Sequence, residues 1–539
     1  MKRRDFIKLS SIAGVAGVVG SHFDAAANPL YEQAGGFDLH PFIKRHPEAV
    51  FIYHTNVKEK SGIMNGAVST HKPIYDAAHK LASEMFVKTS GGAGYSNMTK
   101  IAGKPNWTCG SARPGEDPDY HLGITTDLNF IEGYLNGLKA KGPQDIYLRE
   151  YACNPQWEPL GFVDMARRNN FDLTSLLEKD PWEYENGEII IKEVPNGVVH
   201  KEVALQAPIG APNSFLVNLA KFKTHGMGVT GTIKNLQGTQ GRRLSSFCGS
   251  AVDVLRSLPE GYHRFFHRDY LQRVIELHQQ HIAAGYPRWD GRMGRAPFNS
   301  GLWMEQWAQR MCDAYTMHPV NDGIHVIEGI YWRDGDGFYA GPWNGKARDY
   351  MVNMTIFGKD PFRVDLMAQW LAGHEPGNFG LFHIGIERGL LNVLDPADIP
   401  IYTWNNGRAR RTRLNRVKRH PLLMYYNQLE GEDTYHMVNE PFDYKAWKAT
   451  GKIAKIEPSI KPIGTDANNH IVMDMSVPEK GDVYVDIISH GEVVWSMHAN
   501  DLEPGNHQVV WDGFCQPGIY STYVKGMGWD AENEMVIYT

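Results

Sequence analysis

Strand-like and helix-like segments alternate along the first part of the chain, and this alternation constrains the fold more than any other feature. The alternating segments are a strand at residues 49–53, a helix at 74–87, a strand at 101–107, a helix at 130–141 and a strand at 145–149. Short strands separated by single amphipathic helices are typical of layered α/β domains with a largely parallel sheet. We therefore predict this fold class for the core of the protein.

Segments of both types continue beyond residue 200. The additional segments are strands at residues 214–219, 324–330 and 350–357 and helices at residues 270–284 and 302–315. Because these lengths are those of ordinary globular strands and helices, we predict that the α/β core extends over residues 49–400.

The pattern changes near residue 450, where helical periodicity stops. Short strands with glycine-containing turns follow at residues 483–488, 493–495, 505–513 and 518–523. Antiparallel strands at intervals of about ten residues are typical of a β-sandwich. We therefore predict a small C-terminal β-sandwich over residues 455–539.

The amino terminus has the composition of an export signal. Arg3 and Arg4 are followed by Phe6 and Ile7, which is the pattern that the twin-arginine translocase recognises. The next stretch, residues 9–20, is apolar and rich in Gly and Ala. At about a dozen residues, against roughly twenty for a spanning helix, it is too short for a transmembrane anchor.

Three small residues at positions 25–27 provide a cleavage site, so we predict a signal peptide over residues 1–27. Residues 28–48 show few regular patterns and are interpreted as a leader. The pattern predicts the translocase as a partner during export and a periplasmic or extracellular location. An ordinary secretory signal with an accidental arginine pair is the alternative.

The charge of the chain gives no reason to expect a nucleic-acid partner, since the net charge is −6 and the pI is near 6.4. One basic run, residues 408–419, lies in the segment 401–454 between the two predicted domains. We interpret this segment as a solvated connection. Binding of an anionic polymer is the alternative.

The spacing of the cysteines excludes an iron–sulfur cluster that is bound by one local cysteine motif. The five cysteines include no CxxC pair, so the sequence contains no local iron–sulfur motif. The sequence does not identify a cofactor.

The densest group of polar and glycine residues is the segment 221–238. Lysines supply positive charge, and glycines allow backbone N–H groups to approach a ligand, so this composition suits an anionic group. The segment lacks the spacing of a phosphate-binding P-loop. We take Lys223, His225 and Lys234 as candidate catalytic residues, because a lysine or histidine in such a setting can transfer a proton.

These motifs resemble domain-of-unknown-function family 362 over roughly residues 49–395. The residues that carry the resemblance are Lys223-Thr224-His225, Thr230, Lys234-Asn235 and Gly238, then Lys104-Pro105-Asn106-Trp107, Gly123 to Asp127, Asp322 to Glu328, and Asp360-Pro361 with Asp365. The resemblance implies ligand-binding roles for Lys104, Asn106, Thr224, Thr230, Asn235, Gly238 and Glu328. The biochemical role of the family is not established, and this chain lacks the ferredoxin-type cysteine cluster that several relatives carry.

Carboxylates in the later motifs form a second group of candidates. Asp322, Asp360 and Asp365 could bind a divalent metal together with an imidazole such as His225. The sequence Asp334-Gly335-Asp336-Gly337 resembles part of a calcium loop, but the later acidic ligand is not at the required spacing. We interpret that sequence as a turn.

Two functions from different classes fit these observations. The first is an exported α/β protein with a Lys/His/carboxylate site for an anionic ligand or metal, compatible with redox-linked or proton-transfer chemistry. The second is a non-catalytic envelope or carbohydrate-binding protein, since the chain has 14 Trp and 25 Tyr residues that could stack on sugars. The C-terminal motif Trp511-Asp512-Gly513 resembles the immunoglobulin-like domain of flagellar hook-capping proteins, which mediates packing or attachment.

Overall fold

A computed structural model describes most of the chain. The described residues are 35–58, 71–90, 94–107, 122–151, 157–158, 160–225, 228–244, 254–286, 301–317, 323–338, 340–425, 434–435, 441–450, 458–466, 470–478, 480–513 and 516–537. The predicted signal peptide and Asp322 lie outside these residues.

The helices follow the chain in ten segments of the described residues. They are α1 Pro41–Arg45, α2 Lys72–Met85, α3 Leu128–Lys139, α4 Phe162–Asn169, α5 Thr232–Asn235, α6 Tyr270–Ala283, α7 Gly301–Met317, α8 Pro361–Leu371, α9 Gly380–Glu387 and α10 Tyr444–Ala449.

The strands of the core and its surroundings are β1 Gly36–Leu39, β2 Val50–His54, β3 Phe86–Thr89, β4 Tyr95–Ser96, β5 Lys100–Pro105, β6 Ile146–Leu148, β7 Asp172–Leu173, β8 Ile189–Glu193, β9 Glu202–Gln206, β10 Ser214–His225, β11 Gly228–Thr230, β12 Gly323–Arg333, β13 Asp349–Met351, β14 Met354–Gly358, β15 Ile401–Asn405, β16 Arg408–Thr412, β17 Met424–Tyr425 and β18 Thr434–Tyr435. The C-terminal strands are β19 Ser459–Thr465, β20 Ile471–Val477, β21 Gly481–Ser489, β22 Glu492–Leu502, β23 Gly505–Trp511, β24 Gly518–Gly526 and β25 Trp529–Ile537.

One large sheet forms the centre of the core. Its strand order is β16-β15-β2-β14-β12-β10-β5-β6-β7, with β11 paired to β10 and β13 paired to β12. The five strands from β12 to β7 are mutually parallel. The predicted α/β class with a largely parallel sheet is therefore confirmed.

Helices cover both faces of this sheet because its strands are apolar on both faces. Val217 of β10 packs in one hydrophobic cluster with Leu81 of α2 and with residues of α3 and α4. Phe222 of the same strand packs in the opposite cluster with Trp307 of α7 and with residues of α8 and α9. A parallel sheet that is buried on both faces is the arrangement that crossover helices produce.

The order of the parallel strands reverses between β5 and β10. From β5 the chain proceeds to β6 and β7 on one side, whereas β10 and then β12 lie on the other side of β5. In doubly wound sheets, the crossovers on either side of such a point leave a crevice at the carboxyl ends of the two strands, and ligands bind there. The carboxyl ends of β5 and β10 are therefore the first place to look for a site.

The structure differs from the sequence prediction before the first sheet strand. The sequence predicts a leader over residues 28–48, but β1 and α1 occupy residues 36–45. β1 pairs with β3 and β4, which are about 50 residues further along the chain. Local patterns do not reveal pairing of that range, and the same pairing ends the predicted helix 74–87 at Met85.

The single strand predicted at residues 350–357 is two strands, β13 and β14. Asn353 separates them with a φ of 60°, a left-handed conformation that interrupts a strand. Its side chain accepts hydrogen bonds from Thr55 Oγ1 at 2.8 Å and from the Val57 backbone N–H at 3.1 Å. The break therefore joins this region to the chain that follows β2.

The first part of the segment 401–454, which the sequence predicts to be a connection, contributes two strands to the large sheet. β15 pairs in parallel with β2, and β16 pairs with β15 in a hairpin at the edge of the sheet. The basic side chains of β16 lie on this edge strand, where charge discourages pairing with another chain.

The C-terminal strands form two antiparallel sheets. Their orders are β19-β20-β23 and β22-β21-β24-β25. Alternate residues of both sheets contribute to one hydrophobic cluster, which includes Met473, Val485 and Trp511. This unit touches the core where Asn392 Nδ2 donates to the Met527 carbonyl oxygen at 3.0 Å.

Among the described helices, none combines the length and apolar composition needed to cross a membrane.

Candidate functional site

Polar side chains replace apolar ones at the carboxyl end of β10. The strand is buried along its whole length, yet it changes from a run at residues 215–219 that is apolar except for Asn218 to Lys221, Lys223 and His225. Beyond Lys221 the register with β12 shifts, and Lys223 to His225 pair with β11 in a hairpin. The sequence therefore places lysine and histidine at the strand end where the sheet order reverses.

Lys104 occupies the adjacent end of β5 and forms a buried ion pair. Its Nζ lies 2.6 Å from Glu150 Oε2, and both side chains are 1% exposed. The backbone N–H groups of Trp107 and Tyr151 donate to the same carboxylate at 3.0 and 2.6 Å. Gly238 lies against this pair, because any side chain there would overlap Glu150 Oε1 and Lys104 Nζ. The predicted ligand-binding residue Gly238 therefore leaves space for the ion pair.

Asn235 connects this pair to the central strands. Its Oδ1 accepts from Lys104 Nζ at 3.0 Å and from Asn106 Nδ2 at 3.1 Å. Its Nδ2 donates to the Lys104 carbonyl oxygen at 3.0 Å and to Asn218 Oδ1 at 2.7 Å. Asn218 in turn contacts His325 Nδ1 on β12 at 3.0 Å. One amide thus fixes the relative positions of β5, β10 and α5.

A second buried ion pair joins β10 to β12. Lys221 Nζ and Glu328 form it, and both side chains are 0% exposed. Glu328 also accepts from the backbone N–H of Asp127 at 3.2 Å and from that of Ile330 at 2.8 Å. Glu328, a predicted ligand-binding residue, is therefore engaged by the core on both oxygens.

Lys223 and His225 lie together beyond this pair. Lys223 Nζ donates to the Ile124 carbonyl oxygen at 2.8 Å and lies 4.7 Å from the centroid of the Phe338 ring. The His225 ring centroid is 5.6 Å from that of Phe338. Burial, followed by the charges of Lys234 and Lys223, holds the pKa of His225 well below its usual value of 6.5. His225 is therefore a neutral imidazole near two ammonium groups.

Two threonines complete the hairpin. Thr224 Oγ1 donates to the carbonyl oxygens of Gly335 at 3.0 Å and Leu423 at 3.2 Å, so it holds neighbouring loops. Thr230 pairs with Lys223 across the hairpin and is 0% exposed, and its hydroxyl has no hydrogen-bond partner in the described part of the chain. Thr224 is therefore engaged by the fold, whereas Thr230 retains hydrogen-bonding capacity.

Asp365 holds the short helix that carries Lys234 and Asn235. Its carboxylate accepts from the backbone N–H of Thr232 at 2.5 Å and from that of Ile233 at 2.9 Å. Gly231 precedes this helix, and any side chain there would overlap the Asp365 carboxylate. Asp365 thus caps α5, as carboxylates commonly do at helix N termini.

Asp360 has the same role at α8, where it accepts from the backbone N–H groups of Phe362 at 2.9 Å and Arg363 at 3.2 Å. Two of the three predicted metal ligands therefore cap helices, and the third, Asp322, lies outside the described residues. Within the described ranges, no group of three or more His, Cys, Asp or Glu side chains could hold a metal ion.

The loop after β12 lies against the hairpin. Asp334 accepts from Trp343 Nε1 at 2.6 Å and from the Arg348 backbone N–H at 2.6 Å, and Asp336 accepts from the Phe338 backbone N–H at 2.8 Å. Both carboxylates thus stabilise the loop, which is the turn that the sequence predicts. Gly337 has a φ of 92°, and a side chain there would contact the His225 ring.

The sequence prediction did not include Glu150 or the buried pair Arg333–Asp349, whose Nη1 and Oδ1 lie 2.6 Å apart. Glu150 directly follows a predicted strand, and a charged residue at the carboxyl end of a parallel strand could have identified it. Among the described residues, Cys312 of α7 is buried in the hydrophobic cluster and lies apart from this site.

Five residues from these elements form what we call the switch-point site: Lys104, Asn106, Lys223, His225 and Lys234. The charge of Lys234, on α5, acts on both Lys104 and His225 and lowers the pKa of each. Fold and site together define a doubly wound α/β domain with a cationic site at the reversal of strand order.

Residues 101–369 match the model of a domain of unknown function, DUF362. The match spans the parallel strands from β5 to β12 and all five residues of the switch-point site, and it supports the assignment of the core to this family. No curated protein gives a significant match to the chain.

Proposed function

We propose that the switch-point site binds a small anionic ligand and supports proton transfer to or from it. The observation that carries this proposal is the position of Lys223 and His225 at the carboxyl end of β10, beside β5, where the strand order reverses. Lys234 on α5 adds a second positive charge that acts on His225. Ligands of doubly wound sheets bind at that position. Two ammonium groups beside a neutral imidazole favour an anion there.

His225 gives the site a group that can exchange a proton. Its low pKa keeps the ring neutral, so it is able to accept a proton from a bound ligand. An anion bound to Lys223 and Lys234 would offset their charge and increase the basicity of the ring. The chemistry supported best is therefore proton transfer on an anionic substrate.

Calorimetric titration with inorganic phosphate, sulfate, glycolate and acetate tests the anion site. We expect at least one of these anions to bind, and we expect Lys223→Met or Lys234→Met to weaken its binding at least tenfold, which is about 1.4 kcal/mol. The control is Lys461→Met, which removes an exposed lysine of the C-terminal unit. Equal affinity in all four proteins, or no binding of any anion, would contradict the proposal.

We also propose that residues 1–27 direct export through the twin-arginine translocase and that the mature protein is periplasmic or extracellular. The arginine pair at Arg3 and Arg4 supports this proposal. Replacing both arginines with lysine should leave the protein in the cytoplasmic fraction. Lys2→Ser, which brings the segment closer to the usual pattern, should preserve export. Unchanged fractionation of the double lysine variant would contradict the proposal.

For the C-terminal unit we propose an immunoglobulin-like β-sandwich that serves packing rather than chemistry. Support comes from the antiparallel strands β19–β25 and their shared hydrophobic cluster. Gly528 lies against the Arg363 guanidinium of the core. Gly528→Val should therefore lower the melting temperature and leave anion binding unchanged. A loss of anion binding in the folded variant would contradict a packing role.

A further inference from the structure

Asn106 carries a buried hydrogen-bond acceptor to which no described residue donates. The residue directly follows β5 at the reversal of strand order, and it is 7% exposed. Its Oδ1 is buried and has no hydrogen-bond partner among the residues that the structure describes. Buried acceptors of this kind are rare, because an unsatisfied polar atom destabilises the fold by roughly 1–3 kcal/mol. The acceptor therefore requires an explanation.

The neighbours of Asn106 fix the orientation of its amide. Asn235 Oδ1 accepts from Lys104 Nζ at 3.0 Å and faces Asn106 Nδ2 at 3.1 Å. Asn235 Nδ2 already donates to the Lys104 carbonyl oxygen and to Asn218 Oδ1. Rotating the Asn106 amide would bring two acceptor oxygens together. The atom without a partner is therefore the oxygen.

This acceptor belongs to the cationic part of the site. The Asn106 backbone N–H donates to Thr126 Oγ1 at 3.0 Å, and Lys223 Nζ donates to the Ile124 carbonyl oxygen at 2.8 Å. Asn106 and Lys223 thus hold the same short loop from adjacent strands. The Asn106 amide also shares the Asn235 Oδ1 acceptor with the Lys104 ammonium group, so β5 contributes both an acceptor and a cation to this end of the sheet.

An acceptor within a cationic site discriminates among anions. An anion that has only acceptor atoms would place its oxygens against Asn106 Oδ1 without forming a hydrogen bond. An anion that also carries an O–H group would donate to Asn106 while its charge contacts the lysines. A site that is built to bond a substrate hydroxyl rejects an analogue without it, because the polar atoms of the site are left unpaired.

We infer that the ligand of the switch-point site is an anion that carries an O–H donor and that Asn106 selects it. This inference deepens the proposed function and rests on it. The O–H group could belong to the anionic centre, as in hydrogen phosphate, or to the carbon beside a carboxylate, as in a hydroxy acid.

Two matched pairs of probes test the selection. Hydrogen phosphate and sulfate have the same shape, but only hydrogen phosphate carries an O–H group. Glycolate and acetate differ by one hydroxyl. By calorimetry at about pH 7.5, we expect the hydroxyl-bearing member of at least one pair to bind about tenfold more tightly, as one hydrogen bond allows. The pair that shows the preference identifies the position of the O–H group.

The variant Asn106→Leu should remove the preference, so that the two members of each pair bind with similar affinity. Equal affinity within both pairs in the wild-type protein would overturn the inference, and this comparison does not depend on the folding of any variant. A preference that persists in folded Asn106→Leu would also overturn it. If none of the four probes binds, the proposed anion site itself fails, which is a different outcome.

Discussion

Lys104 and Glu150 form a buried ion pair that joins the carboxyl ends of β5 and β6, with a distance of 2.6 Å between Nζ and Oε2. The pair lies at the base of the switch-point site. Lys104 also donates to Asn235, so the pair is linked to the last residue of α5. The geometry of the site therefore depends on a charge pair that no solvent reaches.

Removing one charge of this pair should be strongly destabilising. We expect Glu150→Gln to lower the free energy of unfolding by about 3 kcal/mol, because it leaves a buried ammonium group without its countercharge. Urea denaturation measures the change. The control is Asp76→Asn in the exposed pair Lys72–Asp76, which should change stability by less than about 1 kcal/mol. Similar effects for the two variants would contradict a structural role for the Lys104–Glu150 pair.

Glu328 should affect stability and not ligand affinity. Its carboxylate is 0% exposed and is engaged by Lys221 and two backbone N–H groups. We expect Glu328→Gln to destabilise the protein by about 3 kcal/mol, with unchanged affinity for phosphate in the protein that remains folded. Denaturation and calorimetry measure the two quantities separately. A weakened affinity without loss of stability would identify Glu328 as a ligand-binding residue instead.

Much of the core could be predicted from the sequence because its strands are locally distinctive. β10 and β12 are rich in apolar residues, as buried parallel strands usually are, and α2 and α3 have amphipathic spacing. The strand order could not be predicted, since it depends on which runs pair across long separations. The reversal between β5 and β10, which marks the site, became visible only in the structure.

The candidate site residues, like the fold, could be predicted only in part from the sequence. Lys223, His225 and Lys234 could be predicted from their chemical types, and in the structure the charges of Lys223 and Lys234 act on His225 and that of Lys234 acts on Lys104. The sequence could not show whether Asp360 and Asp365 cap helices or bind a metal, because an aspartate at either kind of site is the same residue type in the sequence. The structure distinguishes the two roles, because both carboxylates accept hydrogen bonds from backbone N–H groups at the start of a helix.

Asp365 should act on the anion through the position of α5. We expect Asp365→Ala to destabilise the protein by about 2 kcal/mol, since it removes a helix cap and leaves buried N–H groups without acceptors. Because α5 carries Lys234, the affinity for the bound anion should also fall. Asp365→Asn, which retains an acceptor, should recover part of both losses. Calorimetry at a temperature where both variants are folded measures the affinity, and an unchanged affinity in Asp365→Ala would contradict the positioning role.

His281 should make the stability of the helical layer depend on pH. The imidazole bridges Glu305 of α7 and Glu387 of α9, with both distances 2.7 Å. Burial opposes its charge, but the two carboxylates outweigh that effect and raise the pKa of His281 to about 9.

A pKa that is higher in the folded state than the usual 6.5 means that the folded protein binds the proton more tightly. The stabilisation is therefore complete below about pH 6.5 and decreases as the pH rises toward about 9. We expect a loss of about 2 kcal/mol over that range, reduced from the full linkage value because Glu387 is partly exposed. Denaturation of the wild-type protein and of His281→Gln as a function of pH measures it, and identical slopes for the two proteins would contradict the prediction.

His225 should couple anion binding to proton uptake. Burial and then the charges of Lys234 and Lys223 hold its pKa well below 6.5 in the free protein. A bound anion offsets the two positive charges, so the pKa of His225 should rise in the complex. A higher pKa in the complex means that the complex binds more protons than the free protein, and the affinity should therefore increase as the pH falls through the interval between the two values.

Calorimetric titration of phosphate in two buffers with different ionisation enthalpies measures the protons taken up. Because phosphate itself titrates, the informative quantity is the difference between the wild-type protein and His225→Gln, which cannot accept the proton. We expect this difference to grow as the pH falls below about 6.5; equal proton uptake by both proteins would show that His225 does not respond to the anion.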